Sequence, residues 1–162
     1  MKVILHDLAD EYDDMIAANC DRPIAADGRY APCQGCFGCW TTHPAECFMK
    51  DKLHQVCRII GQADELVIVT KNLYGSYSPA VKAVLDRSIG TSTPFSTYRG
   101  RELHHTLSYG NHDLWKVIVY GDITEAEKDT FRLTAKKNAV NDGFERSEAV
   151  FLQDFSRLEA SL

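Results

Sequence analysis

The chain has 162 residues and a formal net charge of −5, with 44% hydrophobic and 25% charged residues. That is enough for one domain with a sizeable core and too little for two ordinary ones, so residues 1–162 are expected to form a single domain. The acidic balance excludes the basic face that nucleic acid requires, and no run approaches the roughly 20 apolar residues of a membrane span, so neither is an expected partner.

The first element is an apolar strand over residues 2–6 (KVILH). It is too short for a signal peptide and meets Asp7 at once, which makes the cytoplasm the expected location and reduced thiols the expected state of the cysteines. A short helix is expected around residues 10–18, with Asp10, Glu11, Asp13 and Asp14 as a solvated acidic start. A weak strand at residues 22–26 runs into the turn Asp27-Gly28. Residues 51–60 place Leu53, Val56, Cys57 and Ile60 on one helical face, and Gly61 closes it. Residues 65–70 (ELVIVT) form a buried strand rich in β-branched side chains. Ser78-Pro79 then opens a helix, Ser at the N-cap and Pro at the first turn, with Val81, Val84, Leu85 and Ile89 as its apolar face. Residues 90–113 show no clear element, a length that in a loop signals function or partner contact. A second buried strand spans residues 114–120. Thr124 and Glu127 form a capping box for a helix running to about Asn138, and residues 148–152 make a last strand.

Strands apolar on both faces, alternating with helices, imply a parallel sheet covered on both sides. At this length the expected fold is α/β, a flavodoxin-like three-layer sandwich of about five strands in the order 2-1-3-4-5. Ligands of such sheets bind beyond the carboxyl ends of the strands, here the loops after His6, Thr70 and Tyr120. The segment that follows the second strand is expected at the same rim.

That segment holds four of the six cysteines. Cys33, Cys36, Cys39 and Cys47 are spaced C-x₂-C-x₂-C-x₇-C. Three readings stay open for them. Four thiolates suit one [4Fe–4S] cluster. Two thiols in C-x-x-C spacing suit redox chemistry. Small, buried, reduced cysteines also serve as packing. Zinc fits less well, since structural zinc sites pair two separated knuckles. His104 and His105, with Tyr109 and His112, lack a carboxylate at ligand spacing and are read as surface or interface residues. Lys82 and Asp86 are read as an ordinary helix-surface pair.

The stretch from PCQGCFGCWTTHPAECFMKD through DELVIVTKNLYGSYSPAVKAVLDRS resembles the NADPH-dependent FMN reductase branch of flavodoxin-like proteins, which includes the iron–sulfur flavoproteins. Tyr74, Gly75, Ser76, Ser78, Lys82, Asp86 and Arg87 match its pattern after the third strand. The resemblance implies FMN as cofactor, with Thr70, Lys71, Asn72, Tyr74, Gly75, Ser76 and Ser78 along one edge of the flavin. Gly121 and Asp122 would form the opposite wall, and Cys36, Cys39 and Trp40 would close over the ring. It implies NAD(P)H or another redox partner, and a homo-oligomer with residues 90–113 at the contact.

The first loop departs from that family. It reads His6-Asp7-Leu8-Ala9-Asp10-Glu11, with no Gly, Ser, Thr or Arg to meet a phosphate dianion. Arg29, Arg99 and Arg101 are the candidate cations. Three functions follow: an NAD(P)H-linked flavin-dependent oxidoreductase, a [4Fe–4S] iron–sulfur flavoprotein carrying electrons, or a flavodoxin-like binding module that has lost FMN.

Overall fold

The computed structural model describes residues 1–110 and 112–162. Strands β1 (Lys2–His6), β2 (Arg22–Ala25) and β3 (Glu65–Lys71) are interleaved with helices α1 (Asp13–Ala18), α2 (Gly38–Thr41) and α3 (Val56–Gly61). Helix α4 (Pro79–Arg87) leads to strands β4 (Ser92–Arg99), β5 (Glu102–Leu107) and β6 (His112–Tyr120). Helix α5 (Glu125–Asp142), strand β7 (Phe144–Phe151) and helix α6 (Leu158–Ser161) complete the chain. The main sheet has five parallel strands in the order β2-β1-β3-β6-β7, which is the expected flavodoxin-like winding.

Period-2 alternation sends successive strand residues to opposite faces. Val3, Leu5, Leu66, Ile68, Val117 and Val119 face α3, α4 and α5, where Val56, Ile60, Val81, Val84, Phe131 and Ala135 cover them. Ile4, Val67, Val69 and Ile118 face the other way, onto Ile16 of α1 and Leu158 of α6. Both faces are therefore buried. The caps read from the sequence are present: Ser78 Oγ accepts from the Val81 N–H, and Thr124 and Glu127 close a reciprocal capping box on α5.

Residues 90–113 are not irregular. They contain an antiparallel hairpin of β4 and β5, outside the main sheet. Pro94 and a register shift between Ser92 and Ser96 break the alternation that would mark a strand. The signal that remained was Gly100 between Arg99 and Arg101, which takes the left-handed turn conformation, φ 62°. Strand β7 begins four residues earlier than expected, its exposed Glu145, Arg146 and Glu148 marking a charged edge strand.

Helix α3 begins five residues later than expected, because Asp51 has other partners. Its carboxylate accepts the Leu53 N–H at 3.0 Å and the Ala31 N–H at 3.1 Å. It also accepts both Nη groups of Arg87, at 2.8 and 2.9 Å, while Arg87 donates further to the Ala31 carbonyl at 2.8 Å. Arg87 is 2% exposed. Its guanidinium lowers the Asp51 pKa from 3.8 to about 2. A depressed carboxylate stabilises the fold above its unfolded pKa and loses that contribution as pH falls through the folded value. Acid unfolding should therefore carry an Asp51-dependent phase between about pH 4 and pH 2, absent from Asp51→Ala. At pH 7 that variant should lose about 3 kcal/mol in urea unfolding, because it leaves a buried guanidinium unpaired.

Candidate functional site at the carboxyl rim

The register places Lys71 beside Tyr120 and His6 beside Val69, so the ends of β1, β3 and β6 share one rim. The Asp7 carboxylate sits at its centre. It accepts the Lys71 N–H at 3.1 Å and the Tyr120 hydroxyl at 3.1 Å, and Thr70 Oγ1 lies 3.5 Å away. Burial first, and Asp7 second, raise the Tyr120 phenol well above its usual range. The donors that would meet a ligand anion at this end of the sheet are already committed to a carboxylate. Beyond it, Asp10 and Glu11 open a 3-10 turn and Asp13 and Asp14 open α1, with no side-chain cap at either start. A phosphate dianion does not fit this loop, since like charge surrounds the place where a helix N-terminus would receive it.

The loop after β3 is differently made. Asn72 joins it to both neighbours: its backbone N–H donates to Tyr120 O at 2.8 Å, its Nδ2 to Asp122 O at 2.8 Å, and its Oδ1 accepts the Gly75 N–H at 3.0 Å. Leu73 and Ser76 exchange backbone hydrogen bonds at 3.0 Å across the turn. Tyr74, at its tip, has φ 53° and is 87% exposed. Gly75 has φ 76° and presses on α5: a Cβ there would lie 3.0 Å from Thr130 Cβ and 3.2 Å from the Glu127 backbone. The Ser78 N–H donates to Thr70 Oγ1 at 2.9 Å, so Thr70 and Ser78 act within the loop. The Lys71 side chain runs along the Gly121 turn, with Cγ 3.5 Å from the position of a Gly121 Cβ. Thr70, Lys71, Asn72, Tyr74, Gly75, Ser76, Ser78, Gly121 and Asp122 are thus brought to one rim.

The cysteine segment is held elsewhere. Tyr30 donates to the Ala80 carbonyl at 2.7 Å near the start of α4, and Arg87 holds Ala31 at the far end of that helix. Cys33, Cys36, Cys39 and Cys47 line a small, almost wholly apolar cavity of about 30 Å³ together with Phe37, Arg87 and Ile89. Among the described residues, no group of three or more His, Cys, Asp or Glu side chains converges as metal ligands do. Cys39 instead packs with Cys57 of α3 against Gly90, where a Cβ would lie 3.0 Å from Cys39 Cβ and 2.9 Å from Cys57 Sγ; the proximity of the two thiols lowers the Cys39 pKa and, with burial, raises that of Cys57.

Trp40 packs on Phe37, a wall of that cavity, with ring centroids 5.1 Å apart, and itself lines a neighbouring groove. Its Nε1 donates to Ile89 O at 2.9 Å, and its ring lies 4.7 Å from His105 of β5. Trp40 and Ser76 line one groove of about 400 Å³ between α4, α5 and the hairpin, together with Tyr77, Trp115, Asn138 and Asp142. Burial raises the Asp142 carboxyl to about 6. His104 and His105 belong to the hairpin, with His104 Nδ1 3.2 Å from Asn141 Oδ1. Arg99 is bound to the carbonyls of Val140, Asn141 and His105, away from the rim. Of the candidate cations, Arg29 stands near the end of β2, beside Asp27.

The profile of the NADPH-dependent FMN reductase family matches residues 8–106. The chain belongs to that family. No curated protein matches it. Among the described residues, no helix is long and apolar enough to cross a membrane. The family-like pattern read from the sequence includes the Tyr74 loop and Arg87 but not Asp7, Tyr120 or Cys57. These three carry no motif, and of them only Asp7 left a trace in sequence, as a carboxylate where the family's phosphate loop stands.

Replacing Asp7 by Asn removes a negative charge beside Tyr120 while keeping an acceptor. Ultraviolet titration should then show one phenolate forming at lower pH than in the parent chain, although still above a free tyrosine because burial persists.

Proposed function

We propose that the chain is a flavin-dependent oxidoreductase that takes electrons from NAD(P)H, with the flavin ring seated on the loop after β3. Family membership supports the reaction class. The loop supports the location: it presents Tyr74 as an exposed face on backbone fixed by Asn72 and by the contact of Gly75 with α5. Tyr74 offers a planar surface to a ring, Lys71 and Ser76 offer polar groups at its edge, and the Gly121-Asp122 turn forms the facing wall. A bound flavin supplies the hydride chemistry, and the chain's part is to orient it. The ring fits these loops; the phosphate of FMN does not fit the loop after β1. The site is accordingly read as one that recognises the ring. The groove beginning at Ser76 has the volume of a small-molecule site and is assigned to the nicotinamide or the electron acceptor.

Flavin fluorescence quenching tests this reading. FMN and riboflavin should bind with dissociation constants within about threefold of each other, since no built phosphate pocket adds to either. Discrimination above ~100-fold in favour of FMN would demand nearly 3 kcal/mol from phosphate contacts and would overturn it. Gly75→Val should abolish binding of both flavins while the far-ultraviolet circular dichroism stays that of the parent, because the side chain would collide with Thr130 and displace Tyr74. Unchanged affinity in that variant would move the ring elsewhere.

A further inference from the structure

Cys57 lies on α3, outside the C-x₂-C-x₂-C-x₇-C segment, and is fully buried. Its thiol donates to the Arg87 carbonyl at 3.2 Å. Both cysteines rest on Gly90: a Cβ at that position would stand 2.9 Å from Cys57 Sγ and 3.0 Å from Cys39 Cβ, so a larger residue would push the pair apart. The two sulfurs are not equivalent. Cys57 is sealed beneath its partner, whereas Cys39 is partly accessible and lines the 30 Å³ cavity. Burial closes Cys57 to a small oxidant, whereas Cys39 opens to the cavity, so Cys39 is the sulfur of the pair that such an oxidant meets first.

The cavity has room for a molecule the size of one or two waters. One of its walls is Arg87. Both Nη groups are taken by Asp51 and Ala31, but among the described residues the buried Nε–H has no hydrogen-bond acceptor. The Cys47 thiol lies beside the same guanidinium. An accessible thiol and a cationic side chain thus meet at one small apolar cavity, with a second, buried thiol close to the first across Gly90.

We infer that Cys39 and Cys57 form a hydroperoxide-reactive dithiol, with Cys39 as the nucleophile, Cys57 as the resolving thiol and the Arg87 Nε–H as donor to the peroxide. With hydrogen peroxide, the Cys39 sulfur attacks one oxygen and the O–O bond breaks. Cys39 becomes a sulfenic acid, and hydroxide departs, hydrogen-bonded by Arg87. The Cys57 sulfur then displaces the sulfenic oxygen: an S–S bond forms, the S–O bond breaks, and the Cys57 proton leaves with the oxygen. In sum, two thiols and one hydrogen peroxide give one disulfide and two waters, with two electrons passing from sulfur to oxygen. A small dithiol such as dithiothreitol reverses the change by exchange, being itself oxidised to its disulfide. The product ties α2, which carries Trp40, to α3.

The full chain, reduced and then desalted without oxygen, is treated with one equivalent of hydrogen peroxide, alkylated, and mapped by peptide mass spectrometry. The expected product is a Cys39–Cys57 linked peptide, two hydrogens lighter than its separate parts, with Cys33, Cys36 and Cys47 alkylated. In Cys57→Ser, Cys39 should instead persist as a sulfenic acid trapped by dimedone. In Cys39→Ser, peroxide consumption should slow by about tenfold or more, as the remaining thiols lack its surroundings. Pairing of Cys39 with Cys36 or Cys47 would overturn the assignment. So would full alkylation of all cysteines after excess peroxide, or stoichiometric iron in the anaerobically purified chain, since iron would claim Cys39. The mapping on the unaltered chain decides the matter even if a variant fails to fold.

Discussion

The guanidinium of Arg87 holds in place the part of this molecule that no sheet supports. The chain between β2 and α3 is a long excursion with only the four-residue helix α2 in it. Short helices of that kind are not stable by themselves. Arg87, at the last turn of α4, reaches both ends of the excursion: Ala31 through its carbonyl and Asp51 through both carboxylate oxygens. A planar fork suits that geometry, and a lysine would not reproduce it. Burial makes the arrangement all-or-none, because a desolvated guanidinium without its carboxylate is strongly unfavourable. The same side chain then forms a wall of the cavity that the cysteines line. The ion pair thus ties the segment to α4, together with the Tyr30 and Trp40 hydrogen bonds to Ala80 and Ile89.

The carboxyl rim follows a second constraint. In an open parallel sheet the strand ends present N–H groups and hydroxyls to whatever lies beyond them. Here Asp7 supplies that acceptor from within the chain, and the Lys71 N–H and Tyr120 hydroxyl turn toward it. The rim is electrostatically satisfied at its centre and open at the loop after β3. The family fold here carries the Tyr74 loop beside a rim whose centre is occupied by a carboxylate of its own. That combination favours a ligand recognised by shape and hydrogen bonding over one recognised by charge.

The parallel sheet was legible in the sequence, because β1, β3 and β6 are apolar runs rich in β-branched residues and α4 and α5 begin with capping residues, while β2 and β7 were weaker signals. The Tyr74 loop was legible as a motif. The hairpin of β4 and β5 was not, since Pro94 and a bulge disrupt its alternation and its faces stay half exposed. Nor was the start of α3, where the Asp51 carboxylate serves Arg87 and two loop amides in place of a helix start at that residue. The expectation that the cysteine segment faces the Tyr74 loop rested on chain order and on the family resemblance. In the fold it descends along α4, so that Trp40 shares a groove with Ser76 while Cys36 and Cys39 turn to a separate cavity.

The sequence by itself determined the layers, the strand order, the caps and the family, because these rest on periodicity and on residues near one another in the chain. The tertiary structure alone decided which groups meet. Asp7 and Tyr120 are 113 positions apart, Arg87 and Ala31 are 56 apart, and Cys57 lies outside the motif that contains Cys39. A hydrogen bond between distant residues leaves no periodic trace; it exists because the parallel register and the buried guanidinium fix both partners at once. In the sequence the cysteines stayed open to cluster, redox or packing roles; that Cys39 and Cys57 pack on Gly90, and that Arg87 walls the cavity beside Cys39, was decided by the tertiary structure.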